Sequence, residues 1–484
     1  PLTLWYASRM LCRHPLRHNP VPVMAAFPPH NSVVNEPTPS ANGLPDAVDW
    51  PDLNEAQQQA VTASLDPQLV IAGPGTGKTR VLVCRTAYLL TRYDALRPSE
   101  TAVITFTRKA ARQLTARLTD LVGGDAQHIR AGTIHQFCAR ILMDHADRLG
   151  VPNDFIIISE AVTDAFWQRW FRANKRWCKS NGFSGFKAVR TRISQWKMGL
   201  ASLPGRLQSV RKRYDAMLRD RNALDFDDLL THARDALRDD PDVRAAVREQ
   251  TRALLVDEFQ DTDPVQYEIM QHVAPSGHPS DGGAHLFCVA DDDQSIYEFR
   301  GARPQNVHDY IDRYGCTRRA ERQHILRMNY RSNRAIYSVA ETVLDGEQRL
   351  KHRGEIETAN PSTPPVEIRA CDDEADEIEW IRETVARWID AGTDRRDIAV
   401  LAPWNSTVLD LETAFLRAGI ACDASSNNPL LQKTTVRQLM AVMTFVQRIL
   451  SQGDHNAPLE DLLRDTLPDG VVPRLNTFCD RHDA

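Results

Sequence analysis

Three stretches of the 484-residue chain carry side chains at spacings that do chemistry. The first is Leu69–Thr79, where an apolar run breaks into a glycine-rich turn ending in Gly77, Lys78 and Thr79. Leu69–Ile71 reads as a buried strand, and Arg80–Leu90 continues with helical spacing. Between them Gly73, Pro74, Gly75, Thr76 and Gly77 form a turn whose backbone amides can approach a phosphate. Lys78 then reaches the β- and γ-phosphates of a nucleoside triphosphate, and the Thr79 hydroxyl a Mg²⁺ ion. Ala72 stands at the first position of the eight-residue pattern, usually glycine, at little cost because that residue only has to leave the strand. A glycine turn that holds no ligand is the plain alternative, against which stands the strand-before, helix-after context.

The second stretch is Ala253–Glu258, an apolar run that delivers two acids at its end. Ligands of open α/β sheets sit beyond the carboxyl ends of the strands, so Asp257 can face the Mg²⁺ held by Thr79 while Glu258 activates water. Two acids after a strand are ordinarily a solvated turn; the phosphate loop upstream changes that reading. In the third stretch Leu286–Ala290 runs into Asp291–Tyr297, which places Gln294 to sense a phosphate and Tyr297 or Phe299 to face a nucleic acid. Upstream of the loop, a helix start capped by Asn54 carries Gln57, whose amide has the donor and acceptor to read an adenine edge.

Elements must hold these groups together. Ala102–Thr107 leads from strand into helix at Arg108, and Ala131–His135 leads into another, so strands and helices alternate as in an α/β parallel sheet. The length exceeds a single core and suggests two to four domains. With 42% hydrophobic and 25% charged residues the composition is that of a soluble protein, and no apolar run approaches the ~20 residues of a bilayer span, which argues against a membrane role. The nine cysteines are scattered singly, without metal spacing, and fit a reducing, cytoplasmic setting.

The net charge of −5 hides local asymmetry. Ala165–Asn222 holds fifteen Lys/Arg against two acids, together with Phe166, Trp167, Trp170, Phe171, Trp177, Phe183, Phe186 and Trp196, whereas Cys371–Trp380 carries only acidic charge. Cations beside stacking rings suit a nucleic-acid surface. A solvated helical face with its aromatics in the core beneath is the other reading. Residues 1–48, proline-rich and without periodicity, are expected to be a disordered tail; translation can begin at Met10 or Met24 within it.

Eight motifs in order resemble the UvrD/Rep/PcrA family of superfamily 1 DNA helicases: LNEAQ at 53–57, AGPGTGKT at 72–79, TFTRKAA at 105–111, GTIH at 132–135, LDFDDLL at 224–230, VDEFQDTDPVQY at 256–267, ADDDQSIYEFRGA at 290–302 and NYRS at 329–332. Weaker similarity continues through DIAVLAPWNS at 397–406. The resemblance implies an ATP- and Mg²⁺-dependent enzyme moving 3′ to 5′ on single-stranded DNA and unwinding duplex DNA, in repair or replication. It implies that Ala72–Arg80 bind ATP, that Gln57 contacts adenine, that Tyr330 stacks on it, and that Arg331 is an arginine finger. Phe106, Thr107, His135, Tyr297, Phe299 and Arg300 would line the single-strand track. Phe299 stands where the family usually has Trp, Glu298 where it has Gly and Ile134 where it has Phe.

The fold so implied has a first RecA-like motor domain over 49–131 and 223–325, interrupted by a basic helical accessory domain at 132–222. The first part of a second RecA-like domain follows at 326–428, and the start of a second accessory domain at 429–484. The family's threonine–histidine and glycine–leucine–glutamate motif and its later arginine motif do not occur before Ala484. The sequence is therefore expected to be a fragment, a truncated reading frame or a partial member, and an ATP- and DNA-binding module without unwinding is the alternative function. A nuclease signature is absent from it as well.

Overall fold

A computed structural model describes residues 44–423 except 46–47, 280–281, 318, 345–354 and 361–365. The tail expected over 1–48 lies almost entirely outside the described residues, and the segment 429–484, with its helical stretch Thr435–Leu450, lies wholly outside them. The chain divides into two compact units, one ending at Val366 and the other beginning at Glu367.

The first unit opens with α1 (Glu55–Thr62), β1 (Gln68–Ala72), α2 (Lys78–Arg92), β2 (Thr101–Ile104), α3 (Arg108–Val122), β3 (Arg130–Gly132), α4 (Ile134–Asp144) and α5 (Ala146–Leu149). A helical excursion follows through β4 (Ile156–Ile157), α6 (Glu160–Ala173), α7 (Lys175–Ser180), α8 (Phe186–Lys197), α9 (Gln208–Arg219) and β5 (Ala223–Leu224). The chain then returns through α10 (Phe226–Asp239), α11 (Pro241–Gln250), β6 (Ala253–Val256), α12 (Pro264–Val273), β7 (His285–Ala290), α13 (Gln305–Tyr314), β8 (Gln323–Leu326), β9 (Met328–Asn333), α14 (Arg334–Val343) and β10 (Glu357–Asn360).

Six strands form one parallel sheet in the order β3-β2-β6-β7-β1-β8. The fold is α/β, as expected, and its unbroken apolar runs follow from burial on both faces. Leu69, Ile71, Leu254, Val256, Leu286 and Cys288 point into a core with α4, α10, α12 and α13. Val70, Leu255, Phe287 and Val289, one residue out of phase, point into a second core with α1, α2 and α3. Strand β2 ends at Ile104, short of the expected Thr107, because Thr107 becomes the N-cap of α3 and accepts a hydrogen bond from the Ala110 amide.

The order of strands brings the functional stretches together. β6, β7 and β1 are successive neighbours, with Val256 beside Cys288 and Ala290 beside Ile71. Asp257, Asp291 and the glycine turn therefore leave the same edge of the sheet from adjacent strands.

The helical excursion has its own core, from Ile158 to Ala223, whereas α4 packs against the sheet. Trp167 and Tyr214 are fully buried with ring centroids 4.8 Å apart, Trp170 is buried beside them, and Trp177 stacks on Phe183. The reading of these aromatics as a nucleic-acid platform is thereby corrected: Trp167 and Trp170 lie in the interior, Phe166, Phe171, Trp177, Phe183 and Phe186 pack partly buried against it, and Trp196 lies under the Arg211 guanidinium. In the second unit α15 (Glu374–Asp390) and α16 (Asn405–Arg417) pack through Val385, Leu411 and Phe415. No described helix is long and apolar enough to cross a membrane.

Candidate nucleotide site and nucleic-acid track

Strand β1 hands the chain to a turn in which Gly75 and Gly77 adopt φ of 73° and 94°, a region that glycine alone enters cheaply. Space adds a second reason. A Cβ on Gly75 would clash with Asn329 Oδ1, and one on Gly77 would meet Gln57 Nε2 at 2.6 Å. The Thr76 hydroxyl closes the turn by donating to the Gly73 carbonyl at 2.8 Å. Gly77 caps the 15-residue α2 with no side-chain acceptor, so the amides of the helix's first turn are left for a ligand, at the positive end of the helix dipole. Lys78 Nζ donates to the Ala72 carbonyl at 3.3 Å and to Asp291 Oδ2 at 3.1 Å, with Glu258 at 4.0 Å. The amine is thus held at the mouth of the turn by groups that a phosphate can replace.

The two acids after β6 differ in setting. The Asp257 amide extends the sheet by donating to Ile104, and its carboxyl is buried and pushed up to about 7, first by desolvation and then by the neighbouring Glu258, against the pull of Lys78. Glu258 sits at φ 49°, unusual for a residue with a long side chain, which turns it out of the strand direction. Gln260 Nε2 donates to Glu258 Oε2 at 2.8 Å, while Gln260 Oε1 accepts from the Asp291 amide at 2.9 Å. Gln294 Nε2 in turn donates to Asp291 Oδ2 at 2.6 Å. Glu258, Gln260, Asp291, Gln294 and Lys78 are therefore one hydrogen-bonded network. Two carboxylates close to a single amine are a donor set that a divalent cation would complete, with Thr79 and Asp257 as hard oxygen ligands. Among the described residues no group of three or more His, Cys, Asp or Glu could hold a metal by itself, so phosphate oxygens and water would supply the remaining ligands.

A cavity of about 720 Å³ opens over the turn. Gln57, Gly73, Pro74, Gly75, Gly77, Lys78, Thr79, Arg80, Glu258, Gln294, Tyr330 and Arg331 line it, with Arg117 and Asp120 of α3. Ala72, Thr76 and Asp257 are buried behind this lining. Gln57 Nε2 donates to the Thr76 carbonyl at 2.9 Å, and its Oε1 accepts from the Asn54 amide at 3.1 Å. One donor and one acceptor position remain on that amide. Arg80 donates to the Asp52 carbonyl at 3.0 Å. The Tyr330 amide donates to the Gly75 carbonyl at 2.9 Å, and its hydroxyl accepts from Asn54 Nδ2 at 2.8 Å. Asn329, fully buried, accepts from the amides of Arg331 and Ser332 and so fixes the turn that presents Arg331.

Seven to ten residues beyond Ala290 the same segment joins a cluster of rings and a guanidinium. Phe106 stacks on Tyr297 with centroids 4.7 Å apart, Tyr297 lies 6.1 Å from Phe299, and the Arg300 guanidinium lies over both rings of the Tyr297–Phe299 pair. Phe299 is 78% exposed, so it is no part of the core. Thr107 is spent on capping α3, and His135 packs edge-on against Phe226 at 5.2 Å. Burial, with the Arg108 charge adding, pushes His135 down to about 4, which leaves the ring neutral at pH 7 and unable to offer charge to a phosphate. Replacing Phe299 by alanine is expected to weaken single-stranded DNA binding by ~1–3 kcal/mol, the scale of one stacking platform, with ATP affinity unchanged. A fluorescence anisotropy titration checks this.

Several cations of the helical excursion are engaged internally. Arg190 pairs with Glu160 and Asp164, Lys197 with Asp225 and Asp228, and Arg211 with Asp215 while lying over Trp196. Lys212 and Arg213 are exposed. Reversing the charge of these two is expected to flatten the dependence of DNA affinity on log salt by about 1 unit or more, at ~0.7 to 0.9 for each phosphate no longer neutralised.

Sequence reasoning passed over Gln260, Asp291 and Asn329. Asp291 carried a signal, since it follows β7 as Asp257 follows β6. The contacts of Gln260 and Asn329 join segments far apart in the chain, and Arg117 and Asp120 read as the polar face of a helix.

A parallel α/β sheet with a glycine turn and its lysine after β1, and acids after the next two strands along the sheet, β7 and β6, has the arrangement of a P-loop nucleotide-binding fold. Residues 53–315 match the UvrD/REP helicase N-terminal domain and residues 324–456 the UvrD-like helicase C-terminal domain, so the chain belongs to the UvrD/REP helicase family. It is 28% identical over 420 residues to a protein named ATP-dependent DNA helicase PcrA from Staphylococcus epidermidis, and 29% identical over 419 residues to one of the same name from Staphylococcus aureus. Each match covers 85% of this chain and 55% of the relative, so the chain spans about half the length of the curated relatives it matches.

Proposed function

We propose that the protein is an ATP-dependent DNA helicase that moves 3′ to 5′ on single-stranded DNA and unwinds duplex DNA, in repair or replication. The observation that carries this reading is the continuity of one segment. Between Ala290 and Gly301 the chain passes from Asp291 and Gln294, hydrogen-bonded at the nucleotide cavity, to Tyr297, Phe299 and Arg300 in the exposed ring cluster. A change at the phosphates has under ten residues to travel before it reaches rings able to grip a base.

In this reading Gln57 takes the adenine edge and Tyr330 stacks on the base. The open amides of α2, with Lys78 and Arg80, hold the phosphates. Thr79 and Asp257 hold Mg²⁺, which supplies neutralising charge to the phosphate oxygens when bound. Glu258, aimed by Gln260, takes the proton of the attacking water, and Gln294 senses the γ-phosphate. Arg331, presented by the Asn329 turn, offers charge to the transition state. Phe106, Tyr297, Phe299 and Arg300, with Thr107 and His135, form the single-strand track. We assign 49–131 and 223–325 to the first motor domain and 326–428 to the second, a reading that the match to the helicase C-terminal domain supports. The free thiols at all seven described cysteines fit a cytoplasmic protein.

The test is displacement of streptavidin from either end of a biotinylated oligonucleotide, beside separation of a tailed duplex. Displacement from the 5′ end alone, with strand separation on a 3′ tail, is the expected result. ATP binding without either activity would limit the chain to a binding module.

A further inference from the structure

Arg85 lies at the middle of α2, fully buried, and among the described residues no carboxylate pairs with it. Its guanidinium is instead spent on carbonyls. Nη1 donates to Val61 at 2.8 Å and to Ala63 at 2.5 Å, and Nη2 donates to Ser64 at 2.6 Å and contacts His285 Nε2 at 3.1 Å. A guanidinium cannot accept, so His285 Nε2 must, which leaves Nδ1–H to donate to the Leu65 carbonyl at 2.9 Å. The guanidinium also lies 5.6 Å from the ring centroids of both Tyr88 and Phe287.

Of these carbonyls Val61 belongs to the last turn of α1, Ala63 is its C-cap and Ser64 follows it. Helix α1 has eight residues, about 12 Å at 1.5 Å per residue, and its last turn carries the negative end of its dipole. A positive planar fork seated there is charge-complementary and directional. At the other end of α1 sits Gln57, with its amide on Thr76 and against Gly77. The apolar contacts of Ala60 and Val61 bury the helix but do not by themselves set its position along its own axis. Hydrogen bonds to the Val61 carbonyl in its last turn and to the Ala63 carbonyl at its C-cap do. Arg85 follows Lys78 by seven residues, about two turns, so a single helix carries the phosphate-binding lysine on its first turn and anchors the helix of the base-contacting glutamine from its middle.

We propose that Arg85 is a positioning residue for nucleobase selection: through the C-terminus of α1 it fixes where the Gln57 amide stands relative to the phosphate-binding turn. Nothing in this role requires contact with the nucleotide, and Arg85, fully buried, is not part of the cavity lining. The inference rests on the reading of Gln57 as the adenine contact. A lysine at this position offers a point charge on a flexible stem and cannot reproduce a fork that spans three carbonyls and an imidazole.

The test measures equilibrium binding of ATP, GTP and inorganic tripolyphosphate, by competition with a fluorescent nucleotide, in the whole chain and in Arg85→Lys, Arg85→Met and Gln57→Ala. Tripolyphosphate has no base and reports the phosphate site alone. Arg85→Lys is expected to lower ATP affinity about tenfold or more, with GTP and tripolyphosphate affinities within about twofold of the unsubstituted chain, as is Gln57→Ala. Arg85→Met, which leaves the carbonyls without a donor, should behave likewise; if it fails to fold, Arg85→Lys decides. Equal losses for ATP and tripolyphosphate would make Arg85 merely structural and overturn the inference. So would an unchanged ATP-to-GTP ratio in a folded Arg85→Lys when Gln57→Ala has lost its preference. An unchanged ratio in Gln57→Ala would instead refute the adenine contact itself, and the inference with it.

Discussion

Exchange of Arg331 for alanine is expected to slow ATP hydrolysis by ~10³-fold or more while leaving ATP affinity nearly intact, the range for loss of an arginine finger. The residue lines the cavity over the glycine turn, and its backbone is fixed twice, by its own amide on Asn329 Oδ1 and by the Tyr330 amide on the Gly75 carbonyl. In its proposed role such a side chain would add charge where the transferring phosphoryl group spreads its own, so its benefit would belong mainly to the transition state. Lysine should restore little of the loss, since a point charge on a flexible stem does not reproduce the guanidinium fork. Single-turnover phosphate release at saturating ATP reads the effect directly. A fall in affinity with an unchanged rate would make Arg331 a ground-state contact.

The second large effect is expected at Glu258. Glutamine there should slow cleavage by ~10²-fold or more, the scale of a lost general base, and leave nucleotide binding within about twofold. The substitution is nearly isosteric, and the new carboxamide oxygen can still accept from Gln260 Nε2, so the loop should keep its shape. Only the proton acceptor is lost. Nucleotide binding measured in parallel separates the roles, because loss of both binding and cleavage would mean that Glu258 supports the loop instead of the reaction.

The chemistry was most legible where a function imposes a local backbone. A turn that must approach a phosphate needs glycines and a lysine at fixed offsets after a strand, and all of that lies within Leu69–Thr79. The parallel sheet was legible because burial on both faces leaves the strands continuously apolar. Sequence reading failed where the decisive neighbour is far along the chain. Asn329 matters because it abuts Gly75, and Gln260 because it joins Glu258 to the amide of Asp291. The aromatics of 165–222 failed for a different reason. Composition shows that rings and cations alternate, but only packing tells which side of the helices the rings face, and Trp167 and Tyr214 face inward. Arg85 reads as one more surface cation in a helix, and nothing local shows that three carbonyls and a histidine wait for it.

In the proposed function ATP hydrolysis at the cavity is tied to the ring cluster through the segment Asp291–Arg300. Phosphate release by the chain, measured at saturating ATP while a single-stranded oligodeoxythymidylate is titrated in, tests it most directly. A saturable rise in turnover with DNA is expected, shifted to higher DNA concentration by Phe299→Ala and abolished by Glu258→Gln. Turnover that is indifferent to DNA across the titration, in a chain that demonstrably binds both ligands, would contradict it.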